Sequence, residues 1–487
     1  MIAAIAAIAA LTALSADAGA TKSARSGEET APRHAGEPLM AIVSIKSQQV
    51  TFYDSDGWIL KAPVSTGTKG RETPAGVFSI LQKNIDHRSN LYDDAHMPHM
   101  QRLTWNGIAM HGGPLPGYAA SHGCVRLPFG FAEKLFGTTR IGMRVIISPD
   151  DATPVDFSHP ALLTPKAEAV AVAPERAEKL TLEAAEAEKA VDETKKLAKT
   201  AAREAASSKS ILRKAEGQKA SADAALASAE KVLAKAKSDQ AKARAEDQRL
   251  KAADKAAEAA TKLETIKAEV QPKIDAAEKA AEAAKDALTR KADTAKAAAE
   301  AKLALEPVSI YISRATQKLY VRRNTRKPWS DGGEVFDFSI EVPVTIRDAD
   351  TPIGTHVYTA MASDGAGLRW SAVSIDNSDD AKNALDRISI PNDVLERIAP
   401  TALPRSSIVI SDEPLSKETN YRTEFVAVLS NQPQGGFKTR KPTPPAPPVF
   451  KPWDGGGFFS FWDQPAPPPD KKRKSGRTKQ VQSEWLW

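Results

Sequence analysis

The sequence predicts a multidomain protein: a small mostly-β domain, then an Ala-rich α-helical coiled-coil region, then a second β-rich domain. Three observations carry this. Short alternating apolar runs fill residues 40–148, Ala, Lys and Glu dominate 165–305, and strand-like text returns over 306–432. At 487 residues the chain is also too long for one compact core. Hydrophobic residues make up 41% and charged residues 26%, and apart from the extreme N-terminus no apolar run is long enough to cross a bilayer. A net charge of +6 spread over this length suits contact with an anionic polymer, or only keeps the chain soluble; no nucleic-acid motif is present.

Taken in order, residues 1–20 read as an export signal. Ile2–Leu14 is a short apolar stretch, and Ala16-Asp17-Ala18 gives a small-x-small cleavage pattern, although no Lys or Arg precedes the run. An uncleaved membrane tether is the alternative. Residues 21–39 read as a disordered linker. From Met40 onward the alternation predicts strands at 42–45, 49–53 and 58–60, the last two joined by the turn signal Asp54-Ser55-Asp56-Gly57. Further strands are predicted at 76–81, 107–111 and 144–148, a helix at 129–136, and a loop over 84–102.

Residues 149–164 read as a linker. In 165–305 the sparse larger residues (Leu180, Val191, Leu197, Ile211, Leu226, Leu233) are mostly separated by multiples of three or four, the pattern of long helices in Ala-lined coiled coils. Gly217 and Pro272 are the candidate breaks, which favours an antiparallel hairpin or bundle over one rod. The predicted role is spacing or binding of envelope protein partners. Residues 433–487, rich in Pro, Gly and basic side chains, read as a disordered tail.

The chain has one cysteine, Cys124, so no internal disulfide or all-thiolate metal site is available. Its surroundings, Gly107 to Pro128, read GIAMHGGPLPGYAASHGCVRLP. A free thiol is mostly protonated at neutral pH, and a nucleophilic one needs a base to form the thiolate. Acyl transfer further needs N–H groups aimed at the developing oxyanion, which a glycine beside the nucleophile leaves unobstructed. His122 beside Cys124, His111 thirteen residues before it and Gly123 supply these ingredients. His87, His96 and His99 lie in the 84–102 segment. His96-x-x-His99, with Asp93 and Asp94 nearby, lacks a third ligand of strong type, so no metal and no cofactor is expected.

Met110-His111-Gly112, then Ser121-His122-Gly123-Cys124-Val125-Arg126, resembles the L,D-transpeptidase (YkuD) signature. Ala62-Pro63-Val64-Ser65-Thr66-Gly67 and Thr73-Pro74-Ala75-Gly76-Val77-Phe78 resemble the first half of that family. The resemblance covers 40–148 and implies a β-rich cysteine peptidyltransferase acting on peptidoglycan stem peptides in the periplasm or cell envelope. It implies Cys124 as nucleophile and His111 as proton acceptor and donor, with the Gly112 carbonyl orienting His111. Gly123 and Cys124 would supply oxyanion N–H groups. His122 belongs to the motif, and Ser121, Arg126, His87 and Tyr118 are the expected substrate contacts. An envelope cysteine peptidase or L,D-carboxypeptidase ending on water, and a non-catalytic peptidoglycan-binding scaffold, remain as alternatives.

Three blocks recur in the second β-rich region. Val308-Ser309-Ile310 echoes Val43-Ser44-Ile45, Val342-Pro343-Val344-Thr345 echoes Ala62-Pro63-Val64-Ser65, and Thr351-Pro352-Ile353-Gly354 echoes Thr73-Pro74-Ala75-Gly76. No Cys and no Ser-His-Gly-Cys block follows. Residues 306–432 are therefore expected to be a degenerate YkuD-like copy without a nucleophile.

Overall fold

The structure of the protein, a computed structural model, describes residues 27–437 apart from 90–94, 329–332, 366 and 377. The expected signal at 1–20, Asp93 and Asp94, and the tail beyond 437 lie outside the described residues.

In the first β region, β1 (Glu29–Thr30), β2 (Met40–Ser44), β3 (Gln49–Asp54), β4 (Gly57–Pro63) and β5 (Gly76–Ser79) join one seven-stranded sheet. The chain then leaves it for a four-stranded sheet of β6 (Gln82–Arg88), β7 (His96–Arg102), β8 (Ala109–Gly112) and β9 (Val125–Leu127). Helix α1 (Phe129–Thr138) follows and covers this sheet, and β10 (Arg144–Ser148) returns to pair parallel with β2. The expected loop over 84–102 is in fact largely the antiparallel β6–β7 hairpin. Its polar, exposed β6 conceals the strand period in the sequence. Residues 27–39 are not a free linker either: β1 pairs with β4, and Arg33 donates to Asp54 at 2.8 Å.

The second β region forms another seven-stranded sheet from β11 (Val155–Phe157), β12 (Ser309–Ser313), β13 (Lys318–Asn324), β14 (Phe336–Pro343), β16 (His356–Asp364), β17 (Gly367–Ser374) and β19 (Ser407–Ser411). Between them, β15 (Thr345–Ile346) pairs with β18 (Ile388–Ser389), and α4 (Ala381–Asp386) and α5 (Asn392–Ile398) pack beside the sheet. The two large sheets share a pairing scheme. β2–β3 and β3–β4 are antiparallel, β2–β10 parallel and β10–β5 antiparallel. β12–β13, β13–β14, β12–β19 and β19–β16 repeat those senses. The hairpin turns agree as well. Gln48 and Gln317 both take φ 52°, their side-chain amides donate to Ile45 O at 2.7 Å and Arg314 O at 2.9 Å, and their carbonyls accept from Val64 N at 2.8 Å and Val344 N at 3.0 Å.

The sheets stack face to face. With a side-chain period of two, Met40, Ile42 and Ile146 meet Tyr311, Val357 and Val409 in a shared core. The alternate residues Ala41, Val43, Val145 and Ile147 face a core that includes α1, while Ile310, Ile312, Ile408 and Ile410 face a third core. The sheets also exchange edges: β11, in the expected 149–164 linker, pairs with β17 of the second sheet. Conversely β20 (Ala427–Val428), from the far end of the second region, pairs with β5 of the first. The boundaries 40–148 and 306–432 thus cut through both sheets.

Between the β regions, α2 (Ala167–Lys235) and α3 (Asp239–Leu303) form a helical hairpin, each about 100 Å long at 1.5 Å per residue. Buried Ala173, Ala177, Ala187, Val191, Ala205, Ser208 and Ala215 mark a seam on α2, largely at spacings of three, four or their sums. Glu188 and Lys291 pair across the two helices at 2.7 Å. Gly217 and Pro272 do not break the helices. Gly217 faces open space, so its cost is the propensity penalty of roughly 1 kcal/mol, and Pro272 costs about 3 kcal/mol in a helix held along its whole length. The reversal falls at 236–238, where Ser238 caps α3 by accepting from Ala241 N at 3.2 Å. At its base the hairpin is tied to the second β region by Arg323 donating to Leu303 O at 3.0 Å and by Lys166 N donating to Pro400 O at 3.0 Å.

Candidate active site

Cys124 immediately precedes β9, and His111 lies on β8, to which β9 pairs in parallel. Around the thiol the chain is bridged to the segment that follows β4, through Gly67–Ser121 and Ser65–Arg126. Gly123 takes φ 123°, a conformation side chains rarely adopt, and a Cβ there would lie 2.9 Å from Ile108 Cδ1. The turn is closed by Ser121, whose hydroxyl accepts from Gly123 N at 3.1 Å and donates to the Cys124 carbonyl. The Gly123 N–H, expected as an oxyanion donor, thus bonds within the loop in this structure. The Cys124 N–H belongs to the same peptide as the Gly123 carbonyl, and that carbonyl accepts from Thr73 Oγ1 at 2.8 Å. In a trans peptide the two groups point in opposite directions, so Thr73 turns the Cys124 N–H away from itself.

His111 is buried, 7% exposed, with Nδ1 2.9 Å from Gly112 O. That contact fixes the tautomer with the proton on Nδ1 and leaves Nε2 as the basic atom. Burial drives its pKa down to about 4, the Gly112 hydrogen bond opposes this, and the charge of Arg126 adds to it. Cys124 is half-buried against Met97, Met100 and Ala109. Burial pushes its thiol up, and the Ala109 hydrogen bond and the positive charges of Arg102 and Arg126 pull it back. The thiol is directed at Gly107 O, 3.6 Å away. Burial thus works against the charged form of both groups, lowering His111 and raising the Cys124 thiol.

Arg126 is half-buried, its stem lying along Gly113, where a Cβ would come within 3.2 Å of it. His87 on β6 is half-buried, and burial and Arg102 lower its pKa. The charges of His87 and His96 act on His111, so both belong to the electrostatic surroundings of the site. Tyr118 stands at the rim, 63% exposed, its carbonyl accepting from Ser65 Oγ at 2.7 Å. His122 is exposed, unlike buried His111. His96 pairs with Asp86 at 2.9 Å and His99 packs against Phe136 at 5.6 Å; among the described residues no metal-holding cluster occurs.

Sequence reasoning missed Arg102. It is paired with Ala109 on β8 and donates to Gln82 at 2.9 Å, and its charge acts on Cys124. The available signal was its place two residues beyond Met100 on the strand beside His111, on the same face by the period of two. It was obscured because that stretch reads as a loop.

Residues 39–147 match the family model of the L,D-transpeptidase catalytic domain, YkuD. Among solved structures, an L,D-transpeptidase from Stackebrandtia nassauensis is 23% identical, covers 24% of this chain and 58% of its own, and superposes with a TM-score of 0.22. One from Mycobacterium smegmatis is 23% identical over 23% of this chain and 59% of its own, with a TM-score of 0.22. One from Mycobacterium tuberculosis H37Rv is 22% identical over 23% of this chain and 58% of its own, with a TM-score of 0.21. The matched part spans under two thirds of those chains. No curated protein matches the chain.

Proposed function

We propose, with the match of residues 39–147 to the L,D-transpeptidase catalytic domain as premise, that the protein is a cysteine peptidyltransferase acting on peptidoglycan stem peptides. The observation that carries this reading is the built loop that leads Cys124 into β9, the strand paired with β8, which carries a buried His111 whose tautomer is set by Gly112 O. His111 Nε2 takes the thiol proton as sulfur attacks the carbonyl of an L-to-D peptide bond. The Cys124 N–H receives the oxyanion. Attack forms the C–S bond, collapse of the intermediate restores C=O and breaks C–N, and His111 returns the proton to the departing D-amino acid. An acceptor amine then attacks the thioester, loses its proton to His111 and releases the thiol. Arg126 and Arg102 offer cations for a substrate carboxylate.

The same reading places the reaction outside the cytoplasm, on the strength of the apolar Ile2–Leu14 stretch and the Ala16-Asp17-Ala18 pattern. It takes the second β region as a diverged copy of the first without a nucleophile. The shared pairing senses and the matching Gln48 and Gln317 turns support this. The alternating seam of the helical hairpin supports a coiled coil that spaces the enzyme or meets envelope partners.

The test is incubation with defined muropeptides, followed by mass analysis. Cross-linked dimers with D-alanine release are expected from the wild type and not from Cys124→Ala. Tripeptides alone would convert the reading to a carboxypeptidase ending on water, and turnover by Cys124→Ala would sink it. A carbapenem is expected to acylate the protein once, at Cys124, through its strained amide. An intact mass without an adduct on an active preparation would argue against the assigned class.

A further inference from the structure

After β19 the chain runs from Asp412 to Phe437 across the first β region, far in sequence from Cys124, and touches both loops that frame the thiol. On one side Glu418 Oε2 accepts from Trp105 N at 2.6 Å, and the Arg422 guanidinium lies 5.0 Å over the Trp105 ring. Trp105 is part of the Thr104–Gly107 turn, closed by Gly107 N donating to Thr104 O at 3.2 Å, and Gly107 O is the carbonyl that accepts the Cys124 thiol. On the other side Gly436 N donates to Glu72 O at 2.8 Å and Gly435 N to Glu72 Oε2 at 3.1 Å. The next residue, Thr73, holds the Gly123 carbonyl and so the direction of the Cys124 N–H. Gly436 also lies directly against the nucleophile loop: a Cβ on Gly123 would stand 3.0 Å from Gly436 Cα.

These contacts leave no room for a side chain at the crossing. A Cβ on Gly436 would fall 2.6 Å from Glu72 O and 3.0 Å from Gly123 Cα, and one on Gly435 would fall 2.3 Å from Glu72 Oε2. The segment is itself anchored, β20 pairing with β5 and Leu429 N donating to Ala75 O at 3.0 Å.

We propose that residues 418–436 are a positioning brace for the nucleophile, with Glu418 and Gly436 its positioning residues. Neither touches the reacting atoms. Glu418 sets the carbonyl that receives the thiol, and Gly436 sets the peptide plane that presents the Cys124 N–H. The catalytic region is thereby completed by chain from the far side of the helical hairpin. The proposal rests on the reading of Cys124 as nucleophile, so its test includes a measurement that needs no substrate.

In the full chain, the pH dependence of Cys124 alkylation by iodoacetamide is measured beside kcat and KM on muropeptides, for Glu418→Ala, Glu418→Gln and Gly436→Val. Because small displacements of reacting groups are costly, Gly436→Val is expected to lower kcat by about tenfold or more, with KM within about twofold. Glu418→Ala is expected to shift the alkylation profile. Glu418→Gln should restore it, since the amide oxygen accepts the same Trp105 N–H. Thermal unfolding identifies a variant that fails to fold; should Gly436→Val fail, the two Glu418 variants decide. Folded variants with wild-type profiles and kcat would overturn the brace, as would Glu418→Gln behaving like Glu418→Ala. A wild type inert on muropeptides, with alkylation still shifted by Glu418→Ala and restored by Glu418→Gln, would overturn the function and leave the brace standing.

Discussion

At the scale of residues, burial disfavours the charged form of both the imidazole and the thiol. Burial lowers His111 to about 4 and raises the Cys124 thiol. The imidazole is a base only when neutral, so its competent form dominates above pH about 4. The acid limb of kcat/KM is therefore expected near that pH, well below the ordinary histidine range. A limb near 6.5 would mean a solvated His111 or another base. Alkylation of resting Cys124 is expected to titrate above the range of a free thiol, and a midpoint below 7 would point to a preformed ion pair. His111→Gln should abolish turnover, whereas His122→Ala, altering an exposed ring, should lower it less; the reverse order would exchange their roles. The contact of His111 with the Gly112 carbonyl was legible because the two residues are neighbours in one short stretch. Arg102, Glu418 and Gly436 were not, because each acts across a strand pair or a chain crossing that local spacing does not encode.

At the scale of elements, the strands of the central sheets were legible and the β6 strand was not. Strand β10 is buried on both faces and reads as a continuous apolar run, Val145-Ile146-Ile147, whereas β6 carries Gln82, Lys83, Asn84 and Asp86 and lacks that signal. The hairpin shows the opposite error, in which a true local preference is overridden. Glycine and proline penalise helix, but the penalty is small against a seam running the length of α2 and α3. The prediction follows that Gly217→Ala stabilises the helical region by about 1 kcal/mol, and Pro272→Ala by up to about 3 kcal/mol. Ser238→Ala, removing the cap at the true turn, should cost about 1 kcal/mol. Unfolding followed by helical circular dichroism checks all three, and destabilisation by Gly217→Ala would mean that the glycine is a needed hinge.

At the scale of the whole molecule, the two sheets cannot be separated without damage to both. A fragment spanning 40–148 lacks β20 and leaves Met40, Ile42, Tyr53 and Ile146 without the face they pack against. A fragment spanning 306–432 lacks β11. Each alone is expected to aggregate or bind a hydrophobic dye, and well-dispersed NMR spectra from either would show that the shared core is dispensable. The edge exchange has a further consequence, in time rather than in space. The chain is made from its N-terminus, so thiol, imidazole and glycine turn all exist some three hundred residues before β20 does. Until Ala427 and Val428 reach β5, the edge of the first sheet is open and the loops around Cys124 lack their outer support. A nascent or prematurely ended chain thus carries Cys124 and His111 without the support that β20 and the residues after it give their loops, and a chain ended before Ala427 is expected to show an altered Cys124 alkylation profile.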